Sequence, residues 1–191
     1  MNAADIDDNK ARMKTLKIIA APNQIFRTKA EPVAEVNDEI LELVDAMFAT
    51  MEFERAVGLG ANMVGVLKRI AVVDLHDGGI SKPYCFINPE IIWRSEETQV
   101  FEEASLSFAG ISAEITRPKA IKLNYLDRDG IQQELEAEGF LACVIQHELD
   151  YLDGITFLDH LSKMKRDMLV KKMLKHIKMY PPHVHGEHCK H

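Results

Sequence analysis

Residues 146–154 read QHELDYLDG, and two of them, His147 and Glu148, are side chains suited to metal-assisted hydrolysis. On a helix, H-E-x-x-H sets two imidazoles four residues apart on one face, where they grip one metal ion while the glutamate acts as general base. Here the fourth residue after His147 is Tyr151, so the second imidazole is missing. The segment fits either a metal hydrolase with an unusual ligand or a hydrolase framework that has lost its metal.

Two further stretches carry residues of the right kind: GLGANMVGV at 58–66 and EEASLS at 102–107. The elements around them can be read from periodicity. Residues 37–53 place Ile40, Val44, Met47, Phe48 and Met51 on one face, with Asn37 as N-cap and acids in the first turn, which predicts an amphipathic helix. From 69 to about 136 the pattern turns to short β-rich runs, RIAVVDL, YCFINPEIIW, ISAEITR, KAIKLNYLD and IQQELEAEG. Turn signals fall at Gly78-Gly79, Asn88-Pro89, Arg117-Pro118 and Asp129-Gly130, the last reading as a hairpin. EGFLACVIQHELDYLDG then returns to helix, apolar almost throughout from Phe140 to Ile145 and ending at Gly154. A helix this apolar must be buried. The order predicts an α+β domain of mostly antiparallel sheet wrapped around a buried central helix, with N-terminal and C-terminal helices beside it.

Composition agrees with one ordinary globular domain: 191 residues, 47% hydrophobic and 28% charged, with no apolar run long enough to span a membrane. The acidic opening lacks the pattern of a secretory or transit peptide. Residues 1–15 read as a flexible leader, 16–178 as one domain and 179–191 as a tail. Three cysteines, Cys85, Cys143 and Cys189, are odd in number and lack paired spacing, which argues against a disulfide framework and for a reducing, cytoplasmic setting. The net charge is −7, yet residues 163–178 alone carry seven Lys or Arg against one Asp, so one basic helix sits on an acidic body. That helix is either a solvated face or a docking element for something anionic such as RNA. The tail holds His183, His185, His188, Cys189 and His191, donors that suit soft divalent metals, and otherwise reads as a solvated, disordered end.

Taken together and in order, the three stretches resemble the motifs of the peptide deformylases, approximately G-x-G-x-A-A-x-Q, E-G-C-L-S and Q-H-E-x-D-H-L-x-G. The resemblance covers nearly all of residues 16–165. It extends to LKIIAAPNQIFRTKAEPV, FINPEI, NYLDRDG and GITFLDHLS. It implies the deformylase fold and an inherited activity: hydrolysis of the formyl group from N-terminal formyl-methionine of nascent peptides by a metal-bound water, usually on Fe²⁺.

Carried over residue by residue, the resemblance also shows what has changed. The family's metal-binding cysteine falls on Ser105, with Ala104 in place of the preceding glycine. The first histidine is His147, the catalytic glutamate Glu148, and the second histidine Tyr151. In the first motif Gly58 and Gly60 survive, the alanine pair is Asn62-Met63, and the oxyanion glutamine is Gly65. Glu103, Leu106, Ser107, Gln146, Asp150, Leu152 and Gly154 match family positions that orient ligands, line the peptide cleft or close the helix. Asn62 and Met63 would either fill space near the cleft floor or repack the loop.

Neutral hydroxyls are poor ligands, because tyrosine must shed a proton with a reference pKa near ~10 and serine is harder still. The sequence therefore predicts no tightly held cofactor at His147, Tyr151 and Ser105, and impaired or absent deformylation. The main-chain N–H of Leu106 would remain as an oxyanion donor, and Glu103, Ser107, Gly58, Gly60 and Gly65 would line the cleft. Partners implied by the resemblance are formyl-methionyl or nascent peptides, and the ribosome through the basic helix; neither a membrane nor specific DNA is implied. Two alternatives stay open. One is an active metallohydrolase holding Fe²⁺ or another divalent metal through His147, Tyr151 and a third group, with Glu148 as general acid and base. The other is a metal-buffering role for the His-rich tail.

Overall fold

The computed structural model describes residues 15–180. The leader expected over 1–15 and the tail expected over 179–191, with all its histidines, lie outside the described residues apart from Thr15, Met179 and Tyr180. Helix α1 spans Asp38–Phe53, and its cap is the one the sequence foretells: the Asn37 side chain accepts the N–H of Ile40. Its apolar face buries Val44, Met47 and Met51, while Ile40 and Phe48 are partly covered.

Seven strands follow: β1 Gly58–Gly60, β2 Ile70–Val73, β3 Tyr84–Arg94, β4 Thr98–Ala104, β5 Ser112–Pro118, β6 Ala120–Leu126 and β7 Gln132–Glu138. They form a five-stranded antiparallel sheet in the order β1-β2-β3-β6-β7 and a separate β4-β5 hairpin. Two strands escape the periodicity: β1 is three residues long and carries two glycines, and β4, TQVFEEA, groups its polar, apolar and charged residues in pairs and has no flanking glycine. Asn88-Pro89, expected to be a turn, instead sits inside β3 as a bulge. Asn88 takes a positive φ of 52° while its side chain bonds both the N–H and the carbonyl of Val33. The amide that makes Asn a turn former here ties the strand to the N-terminal segment.

Helix α2, Gly139–Leu152, runs through the middle, and ten of its fourteen residues are buried. It packs against both sheet units, and this two-sided burial is why Leu141 to Ile145 are apolar without a break. Gly154, at φ +76°, turns the chain away just past the helix. Helix α3, Lys163–Met179, anchors through Leu169 and Met173 and leaves Lys163, Lys171, Lys172, Lys175 and Lys178 exposed. Among the described residues no helix is long and apolar enough to cross a membrane.

Candidate functional site

The three motif stretches converge on the buried face of α2. β1 supplies Gly58 and Gly60, the 3-10 turn Ala61–Val64 supplies Asn62 and Met63, and β4 with the loop after it supplies Glu103 to Ser107. The β1 glycines are needed for contact distance. A Cβ on Gly58 would fall 2.6 Å from Glu148 Oε1, and one on Gly60 would fall 2.9 Å from Asn62 Oδ1. A cavity of about 400 Å³ opens here, lined by Gly58, Met63, Glu103, Ser105, Leu106, Cys143, Val144, His147 and Glu148 among others. Of the remaining residues expected at the site, Gly60, Ser107 and Tyr151 lie buried behind that lining, and Gly65 is exposed at the end of the 3-10 turn. The paired substitution splits in the same way: Met63 lines the cavity, whereas Asn62 is fully buried and donates to the main-chain carbonyl of Tyr151 at 2.6 Å.

A polar chain passes through the site. His147 Nδ1 is 2.7 Å from Glu103 Oε2. Arg117 grips both Glu103 oxygens, Nε to Oε1 at 2.5 Å and Nη2 to Oε2 at 3.0 Å. The same guanidinium donates to Asp150 Oδ2 at 2.7 Å, and His160 Nε2 meets that oxygen from the far side at 2.7 Å. Burial would raise the Glu103 carboxyl, but the hydrogen bonds from His147 and Arg117 win and hold it at about 2. On Asp150 burial likewise loses to His160 and Arg117, which lower it, and on Arg117 burial loses to Glu103 and Asp150, which raise it. Glu103 is therefore a carboxylate, Arg117 a cation, and the imidazole donates Nδ1–H, leaving Nε2 as its lone-pair side.

Sequence reasoning missed Arg117 and Cys143. The signal for Arg117 was present: Ile111, Ala113, Ile115 and Arg117 alternate along one face, and all four are buried. Cys143 lies one helical turn before His147, and its thiol is 3.4 Å from Glu103 Oε1. Burial, next to that carboxylate, pushes the thiol up to about 12. It is a packed donor and no nucleophile.

The residues expected to hold a metal do not make a ligand set. Tyr151 is fully enclosed, with its ring edge-on to Phe26 and Phe108 and stacked 4.9 Å from His147. Desolvation drives its phenol far above the ordinary range against an opposing pull from Ser105, and the hydroxyl meets no partner at hydrogen-bonding geometry. A tyrosine so buried stays protonated and neutral, and a neutral phenol is a poor ligand. Ser105 is a second neutral hydroxyl. That leaves Nε2 of His147 as the one good donor, and among the described residues no three His, Cys, Asp or Glu side chains cluster in a way that could hold a metal ion. Glu148 completes the picture: desolvation pushes it up to about 7, against smaller pulls from His147 and the Gly60 N–H, and its Oε2 has no partner. It contacts neither Tyr151 nor Ser105 through a hydrogen bond.

Comparison with known proteins identifies the framework that carries these residues. The polypeptide deformylase family model matches residues 15–167. The chain is 63% identical over 175 residues to a peptide deformylase-like protein of Rickettsia conorii, covering 92% of this chain and 96% of that one. It is 42% identical over 167 residues to the peptide deformylase of Phenylobacterium zucineum, covering 87% and 99%. The crystal structure of peptide deformylase from Ehrlichia chaffeensis matches with a TM-score of 0.81 at 38% identity, covering 87% of this chain and 98% of that one. A match that takes in every element from the N-terminal segment to the start of α3 leaves one reading of the ancestry: this chain belongs to the peptide deformylase family, a family of divalent-metal hydrolases.

Proposed function

We propose that this protein is a deformylase homologue whose metal-dependent deformylation is weak or absent, while its cleft for N-terminal peptides persists. The observation that carries the reading is Tyr151: where the family has an imidazole, this chain holds a buried, protonated phenol with no partner. A bound metal would lower the pKa of water from ~15.7 to about 7, and without one Glu148 has little hydroxide to deliver. The exchange of the oxyanion glutamine for Gly65 costs a further ~10²- to 10³-fold by comparison with known oxyanion donors. The cleft itself is preserved in kind, with Met63, Leu106 and Val144 in its wall and the half-exposed Val57 and Phe140 at its rim. Such a surface suits an extended peptide end with an apolar first side chain. The reading of Tyr151 as a working ligand finds no support in the buried phenol.

Elemental analysis of chain prepared anaerobically with Fe²⁺, with and without residues 181–191, tests the proposal alongside formate release from formyl-methionyl peptides. The expected result is substoichiometric metal in the shortened chain and negligible formate. Restoring two family ligands with Ser105→Cys and Tyr151→His is expected to raise both. One iron per shortened chain, lost in His147→Gln and accompanied by turnover, would overturn the proposal.

A further inference from the structure

We infer that the substituted centre is a metal-independent acyl-transfer site, with Ser105 as nucleophile, His147 as general base and Glu103 as the carboxylate that orients it, acting on carboxylic esters with a small apolar acyl group. The inference rests on the reading that the metal has been lost. A hydroxyl, an imidazole and a carboxylate in sequence of contact are recognised by geometry and role, and their order along the chain is free.

Two of the three roles are already in place. Glu103 Oε2 holds His147 Nδ1 at 2.7 Å, and Arg117 clamps both oxygens of Glu103, so the ring cannot swing and its tautomer is set. Nε2 of His147 makes no hydrogen bond among the described residues, and His147 lines the same cavity as Ser105. The Ser105 hydroxyl accepts the N–H of Ser107 at 3.3 Å, a long bond, and sits with His147 in the wall of one cavity. The next residue, Leu106, has a main-chain N–H that makes no hydrogen bond among the described residues, and a donor directly after the nucleophile is where a hydrolase places half of its oxyanion hole.

The chemistry balances without metal or redox partner. Ser105 Oγ bonds to the ester carbonyl carbon as its proton passes to Nε2, and the carbonyl oxygen takes the electron pair beside the Leu106 N–H. Collapse breaks the bond to the alkoxide, which leaves with the proton from Nε2. Water then gives a proton to Nε2 and attacks the acyl carbon, and Ser105 Oγ leaves and recovers that proton. The sum is ester plus water to acid plus alcohol. Substrate class follows from what the site lacks: with one main-chain donor and Gly65 outside the cavity lining, stabilisation of the oxyanion is modest, which suits an ester with a good leaving group better than an amide. Met63, Leu106 and Val144 make the acyl subsite apolar, and a cavity of about 400 Å³ sets its size.

The test is intact-mass and peptide-mapping analysis of the full chain treated with an alkyl fluorophosphonate in the presence of EDTA. The expected result is one phosphonyl group on Ser105 with loss of fluoride. The modification should be absent in Ser105→Ala and at least ~10²-fold slower in His147→Gln, the usual worth of a positioned base. Thermal melting of each variant checks its fold, and if His147→Gln melts early, mapping of the native chain still decides. An unmodified Ser105 in the folded native chain, label carried elsewhere, or a rate indifferent to His147→Gln in a folded variant would each overturn the inference. Failure of the underlying deformylase reading shows separately, as bound iron and released formate.

Discussion

Tyr151 is a fully buried side chain whose hydroxyl has no partner, and an unpaired polar atom in that position costs stability. Tyr151→Phe is therefore expected to leave the protein as stable as before or more stable, by about 1 kcal/mol, with no loss of any metal bound at the site. Urea unfolding and elemental analysis check the two halves of that statement. Glu148 gives a pH signature. Its folded value of about 7 lies above the reference of 4.5, so its contribution is complete below pH 4.5 and is lost as pH rises through 7. Relative to Glu148→Gln, the native chain should lose on the order of 3 kcal/mol between pH 4.5 and 7.5. Unfolding midpoints of both proteins at pH 5 and pH 8 read the difference, and parallel behaviour would show that the carboxylate finds a partner.

Arg117 on β5 joins Glu103 on β4 to Asp150 on α2, so one guanidinium couples the small hairpin to the central helix. Arg117→Met would leave the buried Glu103 and the partly buried Asp150 without their shared cation. The expected cost is about 3–5 kcal/mol, measured as a fall in the urea midpoint. The contact between β1 and α2 is steric: Gly58→Ala would bring a methyl to 2.6 Å from Glu148 Oε1 and 3.0 Å from Val144 Cγ1. Destabilisation of about 1–3 kcal/mol is expected, with the cavity distorted in the same variant, because the Glu148 carboxyl and the Val144 side chain, which both line it, must shift to admit the methyl. β1 is invisible to a periodicity argument for the same reason that it works. Two glycines in three residues carry no hydrophobic pattern, and they are there to let a helix come close.

For the molecule as a whole, the distribution of charge matters more than its sum. α3 presents Lys171, Lys172 and Lys175 to solvent while Leu169 and Met173 hold it to an otherwise acidic body. Replacing those three lysines with glutamate is expected to abolish any binding to ribosomes or naked RNA in a sedimentation assay, with thermal stability little changed. Binding by the native chain should weaken as salt is added. Native-chain binding that ignores both salt and charge reversal would assign α3 a purely structural role.

Much of this protein was legible in the sequence, because periodicity and capping are local. The N-cap at Asn37, the two-sided burial of α2, the hairpin at Gly130 and the positions of Ser105, His147, Glu148 and Tyr151 in the family motifs could all be read from neighbouring residues. Tertiary structure decided what depends on residues far apart in the chain. Whether Asn88-Pro89 turns or bulges depends on Val33, and the state of Tyr151 depends on Phe26 and Phe108 closing around it. The protonation of Glu148 depends on the water that Gly58, Gly60 and Val144 exclude. Desolvation and ion pairing belong to enclosures built from several elements at once, and no stretch of nine residues contains one.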